Sequence, residues 1–123
     1  MLREKKLIYI CVEDKHLQFT LAMILEREGY QVVSQSLSQM ANYWVISDPI
    51  DLLILDNSGK WDEVWNLKLN KIRCQFARQP ILILTAHLPG TTTFVCEDFG
   101  LCKIVQKPAD PMVILKSARE LLD

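Results

Sequence analysis

A short apolar run bounded by two aspartates constrains the fold more than any other feature of this sequence. Residues 52–55 read Leu-Leu-Ile-Leu; they stand between Asp51 and Asp56, and the polar stretch 57–60 follows. Four consecutive apolar residues with turn-forming flanks predict a strand that is buried on both faces of a sheet. Such a strand can end in a carboxylate only where it leaves the sheet. We therefore expect Asp56 at a sheet edge, facing a crevice.

Three further apolar runs also end in polar or charged side chains. These pairs are 7–12 with Glu13 and Asp14, 81–84 with Thr85, and 104–106 with Lys107. In a parallel α/β sheet the carboxyl ends of the strands lie at one edge, where ligands bind. The sequence therefore predicts that three carboxylates, a hydroxyl and an ammonium meet in one place.

Segments with helical spacing alternate with these strands and with a short strand at 31–34. Helices are predicted between Asp14 and Gly29, at 37–46, at 62–76, at 88–99, and from Pro111 onward behind the capping residue Asp110. The fourth is expected to be short or irregular, because Pro, Gly and three threonines disfavour a helix interior. Strand and helix alternating five times predict an α/β fold, a doubly wound parallel sheet of five strands with five helices.

The composition fits one domain, residues 1–123, with half of its residues hydrophobic. A net charge of −1 without a basic stripe argues against direct nucleic-acid binding. The apolar runs are far shorter than the roughly 20 residues that span a bilayer, so we expect a soluble, cytoplasmic protein. The four cysteines show no Cys-x-x-Cys spacing, which disfavours a zinc site or a disulfide framework.

The charges at the predicted edge require a counter-ion. Two carboxylates about 4 Å apart repel by about 4 kcal/mol at an effective dielectric constant near 20, and Lys107 balances only one of them. An oxygen-only ligand set suits Mg²⁺, with Asp14 and Asp56 as direct ligands. A carboxylate beside Mg²⁺, an ammonium and a hydroxyl such as that of Thr85 can accept a phosphoryl group. Each residue alone also has a structural interpretation, as a helix cap or loop residue; their joint placement favours a site.

Four segments resemble the landmark segments of the receiver domains of two-component response regulators. They are LIYICVED at 7–14, DLLILD at 51–56, ILILTA at 81–86 and GLCKIVQKP at 100–108. The resemblance extends over nearly the whole chain and implies the flavodoxin-like strand order 2-1-3-4-5. It implies that Asp56 is the phosphoacceptor, that Thr85 is the switch hydroxyl and that Lys107 contacts the phosphoryl group. It also implies a Mg²⁺ site formed by Glu13, Asp14, Asp56 and the backbone carbonyl of Ser58, and a cis Lys107–Pro108 peptide bond.

The same resemblance implies a signalling role rather than that of an enzyme, beyond self-phosphorylation and autodephosphorylation. The expected partners are a sensor histidine kinase or phosphotransfer protein and a downstream effector protein. The output face would comprise the fourth helix, the fifth strand and the fifth helix, which also offer a surface for a homodimer. With no DNA-binding domain in these residues, output through a partner is expected unless the chain is a fragment of a longer regulator.

Several positions depart from the family pattern. Ile104 stands where receivers usually carry an aromatic residue that turns inward during switching, Lys60 and Val64 replace a proline and a glycine, and Asn57 replaces an apolar residue. These changes keep a second hypothesis open, a non-switching pseudo-receiver that acts as a constitutive interaction module. A small Mg²⁺-dependent phosphatase is a third, disfavoured because no general acid follows Asp56 at a suitable position. We expect His16 to face solvent rather than to bind metal.

Overall fold

A parallel five-stranded sheet with helices on both faces forms the core of the protein. The computed structural model describes residues 5–34, 50–57, 63–75, 78–86 and 102–122. In chain order the elements are β1 (Leu7–Cys11), α1 (Lys15–Arg27), β2 (Gln31–Ser34), β3 (Leu52–Asn57), α2 (Glu63–Gln75), β4 (Ile81–Thr85), β5 (Cys102–Gln106) and α3 (Pro111–Leu122). The strand order is β2-β1-β3-β4-β5 and every pairing is parallel. The α/β fold class and the predicted strand order are confirmed.

The central strand β3 is buried along its whole length, as its sequence predicts. Alternate residues point to opposite faces of a sheet, and two apolar clusters result. Leu53 and Leu55 belong to the cluster under α2, and Leu52 and Ile54 to the cluster under α1 and α3. Because both faces are covered, a continuous apolar run is the stable sequence for this strand.

Capping residues define the helices that flank the edge strands. The Asp14 carboxylate accepts hydrogen bonds from the backbone N–H groups of His16 and Leu17, at 2.9 and 3.2 Å. At the other end of α1, Gly29 follows the last helical turn with a φ of 94°. Glycine adopts this left-handed conformation without a side-chain clash. At α3, Asp110 accepts from the Met112 N–H at 2.8 Å. The predicted caps are therefore present at both helices.

The apolar residues of α2 are irregularly spaced in the sequence because not all of them face the core. Trp65, Leu69 and Ile72 are buried against the sheet, whereas Val64 and Leu67 are each 61% exposed. The buried residues alone follow the helical period. Trp65 is a core residue, 5% exposed.

Some predictions fall outside the described residues, and some element bounds differ. The helices predicted at 37–46 and 88–99 lie outside the described ranges, and the described residues contain three helices. Strand β3 includes Asn57, which the sequence assigned to a polar break, and β5 begins at Cys102, two residues before the predicted start. Within the described ranges, no helix combines the length and apolar character needed to cross a membrane.

Candidate functional site

The strand register brings the predicted polar strand ends to one edge of the sheet. Asp56 is paired with Leu84, and the last residue of β3, Asn57, is paired with Thr85. Thr85 is in turn paired with Gln106 in β5. On the other side Cys11, the last residue of β1, is paired with Leu55. The residues that follow β1 and β5 therefore leave the sheet on either side of Asp56.

The centre of this edge is an ion pair between Asp56 and Lys107. The Lys107 Nζ donates to Asp56 Oδ1, and the two side chains are 22% and 3% exposed respectively. Burying a carboxylate is costly unless it is paired and hydrogen-bonded, and Lys107 supplies the partner. The Lys107–Pro108 peptide bond is cis, which confirms the conformation implied by the resemblance.

Thr85 is buried at the last position of β4. Its side chain has no exposed surface, and its backbone carbonyl accepts the Lys107 N–H at 2.7 Å. This hydrogen bond extends the β4–β5 pairing beyond the last residue of β5. The backbone of Lys107 is thereby fixed to the strand that carries the hydroxyl.

The acidic residues after β1 have a different environment. Glu13 and Asp14 are both exposed, and Asp14 Oδ1 is engaged by the start of α1. The interpretation of Asp14 as a helix cap is therefore correct, but it accounts for one carboxylate oxygen only. His16 is exposed on the first turn, as predicted.

A cavity connects Asp14 with Lys107. It has a volume of about 510 Å³ and lies where the start of α1 faces the end of β4 and the loop between β5 and α3. Its lining comprises Asp14, His16, Leu17, Thr20, Ala86, Lys107, Pro108, Ala109, Pro111 and Ile114. Asp14, Lys107 and, through its ion pair, Asp56 therefore lie on the same side of the molecule.

The donor chemistry of this edge fits a hard divalent cation, although the described side chains do not form a complete site. Glu13, Asp14 and Asp56 offer only oxygen atoms, the ligands that Mg²⁺ prefers. Among the described residues, no group of three or more His, Cys, Asp or Glu side chains is arranged to hold a metal ion. The fourth predicted donor, the carbonyl of Ser58, lies outside the described ranges. The ligand set Glu13, Asp14, Asp56 and Ser58 stays a prediction.

Sequence reasoning missed two features of the site. Asn57 is buried, 4% exposed, as the last residue of β3, although an asparagine after an apolar run is typical of a turn. The cavity was not predicted either, because its lining comes from three separate segments whose apolar residues look like ordinary core positions. The place of Asn57 in the strand follows from its pairing with Thr85 of β4, which the sequence alone did not predict.

Ile104 occupies the position where receiver domains usually carry an aromatic residue. Its side chain is half-buried and packs against the cluster under α2, next to Ile83 of β4 in the register. A branched aliphatic side chain in this position has little rotameric freedom. It contributes packing between β5 and the core.

Comparison with known proteins gives structural relatives only. No protein-family model matches the sequence, and no curated protein matches it. Among solved structures, the non-phosphorylated HemR receiver domain from Leptospira biflexa is 22% identical with a TM-score of 0.79, and the match covers 97% of this chain and 95% of that one. A response regulator from Thermotoga maritima is 17% identical with a TM-score of 0.74, covering 96% of this chain and 98% of that one.

A further neighbour contains a metal. The response regulator TrrA from Thermotoga maritima, in complex with Mg(2+)-BeF, is 19% identical with a TM-score of 0.71, and the match covers 95% of this chain and 99% of that one. At these identities the likeness establishes the fold. The chain thus resembles receiver domains of response regulators over nearly its whole length and shares their architecture.

Proposed function

We propose that this chain is a receiver domain that accepts a phosphoryl group on Asp56 and thereby changes its affinity for a partner protein. The observation that carries the proposal is the buried Asp56–Lys107 ion pair at the carboxyl end of the central strand, with the buried Thr85 at the end of the next strand. The fold supports it, because ligands of open parallel sheets bind at this edge.

The chemical step follows from the groups at the edge. A carboxylate oxygen of Asp56 attacks the phosphorus of a phosphohistidine, the P–N bond breaks, and the electron pair stays on the imidazole nitrogen. The product is an aspartyl phosphate. The ammonium of Lys107 and the hydroxyl of Thr85 would then contact phosphoryl oxygens, in the roles that the sequence predicts for them.

Mg²⁺ would be held by Asp14 and Asp56 with Glu13 and the Ser58 carbonyl, and when bound it supplies positive charge against the transferring phosphoryl oxygens. The residues of the chain have separate tasks. Lys107 pairs with the buried Asp56 side chain and thereby holds the nucleophile in place at the end of the central strand. The β4–β5 backbone hydrogen bond holds Lys107 and Thr85 in a fixed relation.

The proposed phosphoryl donor is a sensor histidine kinase or phosphotransfer protein, and the proposed output is a downstream effector protein. In this proposal β5, α3 and the predicted fourth helix form the responding face, which also offers a homodimer surface. A cytoplasmic location and the absence of further enzymatic activity belong to the same proposal. A phosphoryl group needs to shift such a two-state equilibrium by only a few kcal/mol.

Phosphorylation by acetyl phosphate tests the proposal directly. The protein is incubated with acetyl phosphate and MgCl₂, and intact mass spectrometry measures the addition of one phosphoryl group. We expect the adduct in the parent protein, none in Asp56→Asn, and much less when EDTA replaces MgCl₂. The matched control is Asp51→Asn, at the other end of the same apolar run, where the side chain accepts the Leu7 N–H at 2.7 Å; an asparagine oxygen can accept the same bond, and the adduct should persist. An adduct that survives in Asp56→Asn contradicts the proposal.

The alternative is a pseudo-receiver that binds its partner without switching. Two observations favour it: the described acidic side chains do not gather as a metal site, and Ile104 is packed into the core cluster at the usual aromatic position. This alternative expects no adduct and no Mg²⁺-dependent change in tryptophan fluorescence. It also expects partner binding that is unchanged in Asp56→Asn, whereas the receiver proposal expects that variant to lose its response.

A further inference from the structure

The cavity beside the Asp56–Lys107 pair is larger than a phosphoryl group or a hydrated ion requires. Its volume of about 510 Å³ lies within the range of roughly 300–1,000 Å³ that is typical of small-molecule sites. Most of its wall is apolar, formed by Leu17 on α1, by Pro108 and Ala109 on the loop into α3, and by Pro111 and Ile114 on α3 itself. Such a wall fits the body of a small organic molecule.

At the two helix starts beside the cavity, most first-turn N–H groups already have an acceptor, which makes these helix starts poor sites for an anion. At the start of α1 the N–H groups of His16 and Leu17 donate to Asp14 Oδ1. At the start of α3, Pro111 has no N–H, the Met112 N–H donates to the Asp110 side chain, and the next two N–H groups donate to the Asp110 carbonyl. Most of the N–H groups that make a helix start attractive to anions are therefore occupied at both helices.

The charges point the same way. Lys107 lines the cavity, but its ammonium is paired with Asp56. Asp14 is the carboxylate in the cavity lining, and within the described part of the chain no group donates a hydrogen bond to its second oxygen, Oδ2. The cavity thus combines an apolar wall with one available carboxylate oxygen, a pairing that recognises a cation attached to an apolar group.

We propose that this cavity binds a small amphipathic amine, with its apolar body between α1 and the loop into α3 and its ammonium on Asp14 Oδ2. A consequence rests on the proposed function: because Asp14 is there also a ligand of Mg²⁺, the amine and Mg²⁺ compete, and the amine slows phosphorylation of Asp56. Through this site, the concentration of a small metabolite would control the rate at which Asp56 is phosphorylated.

Three probes that share one ring system test the site and its charge preference. Tryptamine, indole and indole-3-acetate are titrated into ¹⁵N-labelled protein without Mg²⁺ or acetyl phosphate, and the amide shifts of Thr20, Ala86 and Ala109 report binding. We expect tryptamine to shift these amides and to bind roughly tenfold more tightly than indole-3-acetate. If no probe shifts the cavity amides up to its solubility limit, the site does not exist. If indole-3-acetate binds as tightly as tryptamine, the assigned charge preference is wrong.

Two aspartates with the same capping role provide matched variants. Asp14→Asn keeps a good cap but removes the charge, and should weaken tryptamine binding roughly tenfold. Asp110→Asn makes the same change at the start of α3, outside the cavity lining, and should leave the affinity within about twofold, because an exposed charge acts weakly at a distance. Ala109→Phe fills the cavity and should abolish binding of all three probes. Equal losses in both asparagine variants contradict the proposal.

These binding measurements are independent of the acceptor chemistry. Tryptamine can bind whether or not Asp56 accepts a phosphoryl group, and the acetyl phosphate experiment needs no amine. If no phosphoryl adduct forms but tryptamine binds, the receiver function is contradicted and the amine site is supported. If the adduct forms normally but tryptamine does not bind, the receiver function is supported and the amine site is contradicted. If both are present, tryptamine should slow adduct formation, and raised Mg²⁺ should restore it.

Discussion

Two aspartates near the carboxyl ends of neighbouring strands have opposite environments in this protein. Asp56 is the penultimate residue of β3 in the sheet centre, 3% exposed and paired with Lys107. Asp14 lies just after β1, exposed to solvent, with one oxygen held by the first turn of α1. At position 56 the aspartate is thus a buried charge that depends on one partner. At position 14 it is a helix cap that uses only one of its two carboxylate oxygens.

This difference indicates which of the two regions tolerates substitution with little loss of folding stability. Burying a charge costs several kcal/mol unless it is paired, so the Asp56 carboxylate depends on Lys107. The Asp14 region faces water, which stabilises an unpaired carboxylate without help from the protein. The proposed function would divide in the same way, because a nucleophile at Asp56 needs a defined partner whereas a cation ligand at Asp14 needs access to solvent.

The largest expected effect is the loss of the buried partner. Lys107→Met keeps an unbranched side chain but leaves the Asp56 carboxylate without its counter-charge, so we expect the free energy of unfolding to fall by about 3 kcal/mol. Urea denaturation followed by tryptophan fluorescence measures this loss. The matched control is Lys103→Met, on the strand that precedes Lys107, whose ion pair with Glu120 joins side chains that are 38% and 46% exposed; it should cost less than about 1 kcal/mol. Similar losses in both variants would remove the distinction between the two environments.

How much of the fold the sequence predicts depends on local pattern. Strand β3 is recognisable from its letters alone, because burial on both faces permits only apolar residues. Strand β5 is recognisable only from residue 104 onward. Cys102 and Lys103 are half-buried and carry no alternating pattern; they are strand residues because they pair with Ile81 and Leu82 of β4. That pairing is a property of the assembled sheet.

A smaller effect is expected at the other aspartate. Asp14→Ala removes the acceptor for two backbone N–H groups at the start of α1, and should lower the free energy of unfolding by about 1 kcal/mol. Asp14→Asn, which can still accept these bonds, should lose less than half as much. Thermal and urea denaturation of both variants check this. An equal loss in both would mean that the negative charge, rather than the cap, stabilises this region.

Part of the candidate site can likewise be predicted from the sequence and part cannot. The convergence of Asp56, Thr85 and Lys107 is predictable, because the carboxyl ends of parallel strands share one edge. The capping bonds of Asp14 were foreseeable as an alternative, since aspartate before a helix is a common cap. The cavity was not, because it depends on how closely α1 approaches the loop into α3. No spacing in either segment encodes that distance.

The smallest effect is expected from removing the other partner of the buried pair. Asp56→Asn takes the charge out of the more buried position and leaves the ammonium of Lys107, whose side chain is 22% exposed. A lysine can extend its flexible stem so that the charge reaches water, which a short aspartate in β3 cannot do. We therefore expect Asp56→Asn to change the free energy of unfolding by less than about 0.5 kcal/mol, and the double variant Asp56→Asn/Lys107→Met to recover most of the stability lost in Lys107→Met alone. Urea denaturation of the four proteins forms a double-mutant cycle. If the double variant is as unstable as Lys107→Met, the loss came from the packing of the lysine stem and not from an uncompensated charge on Asp56.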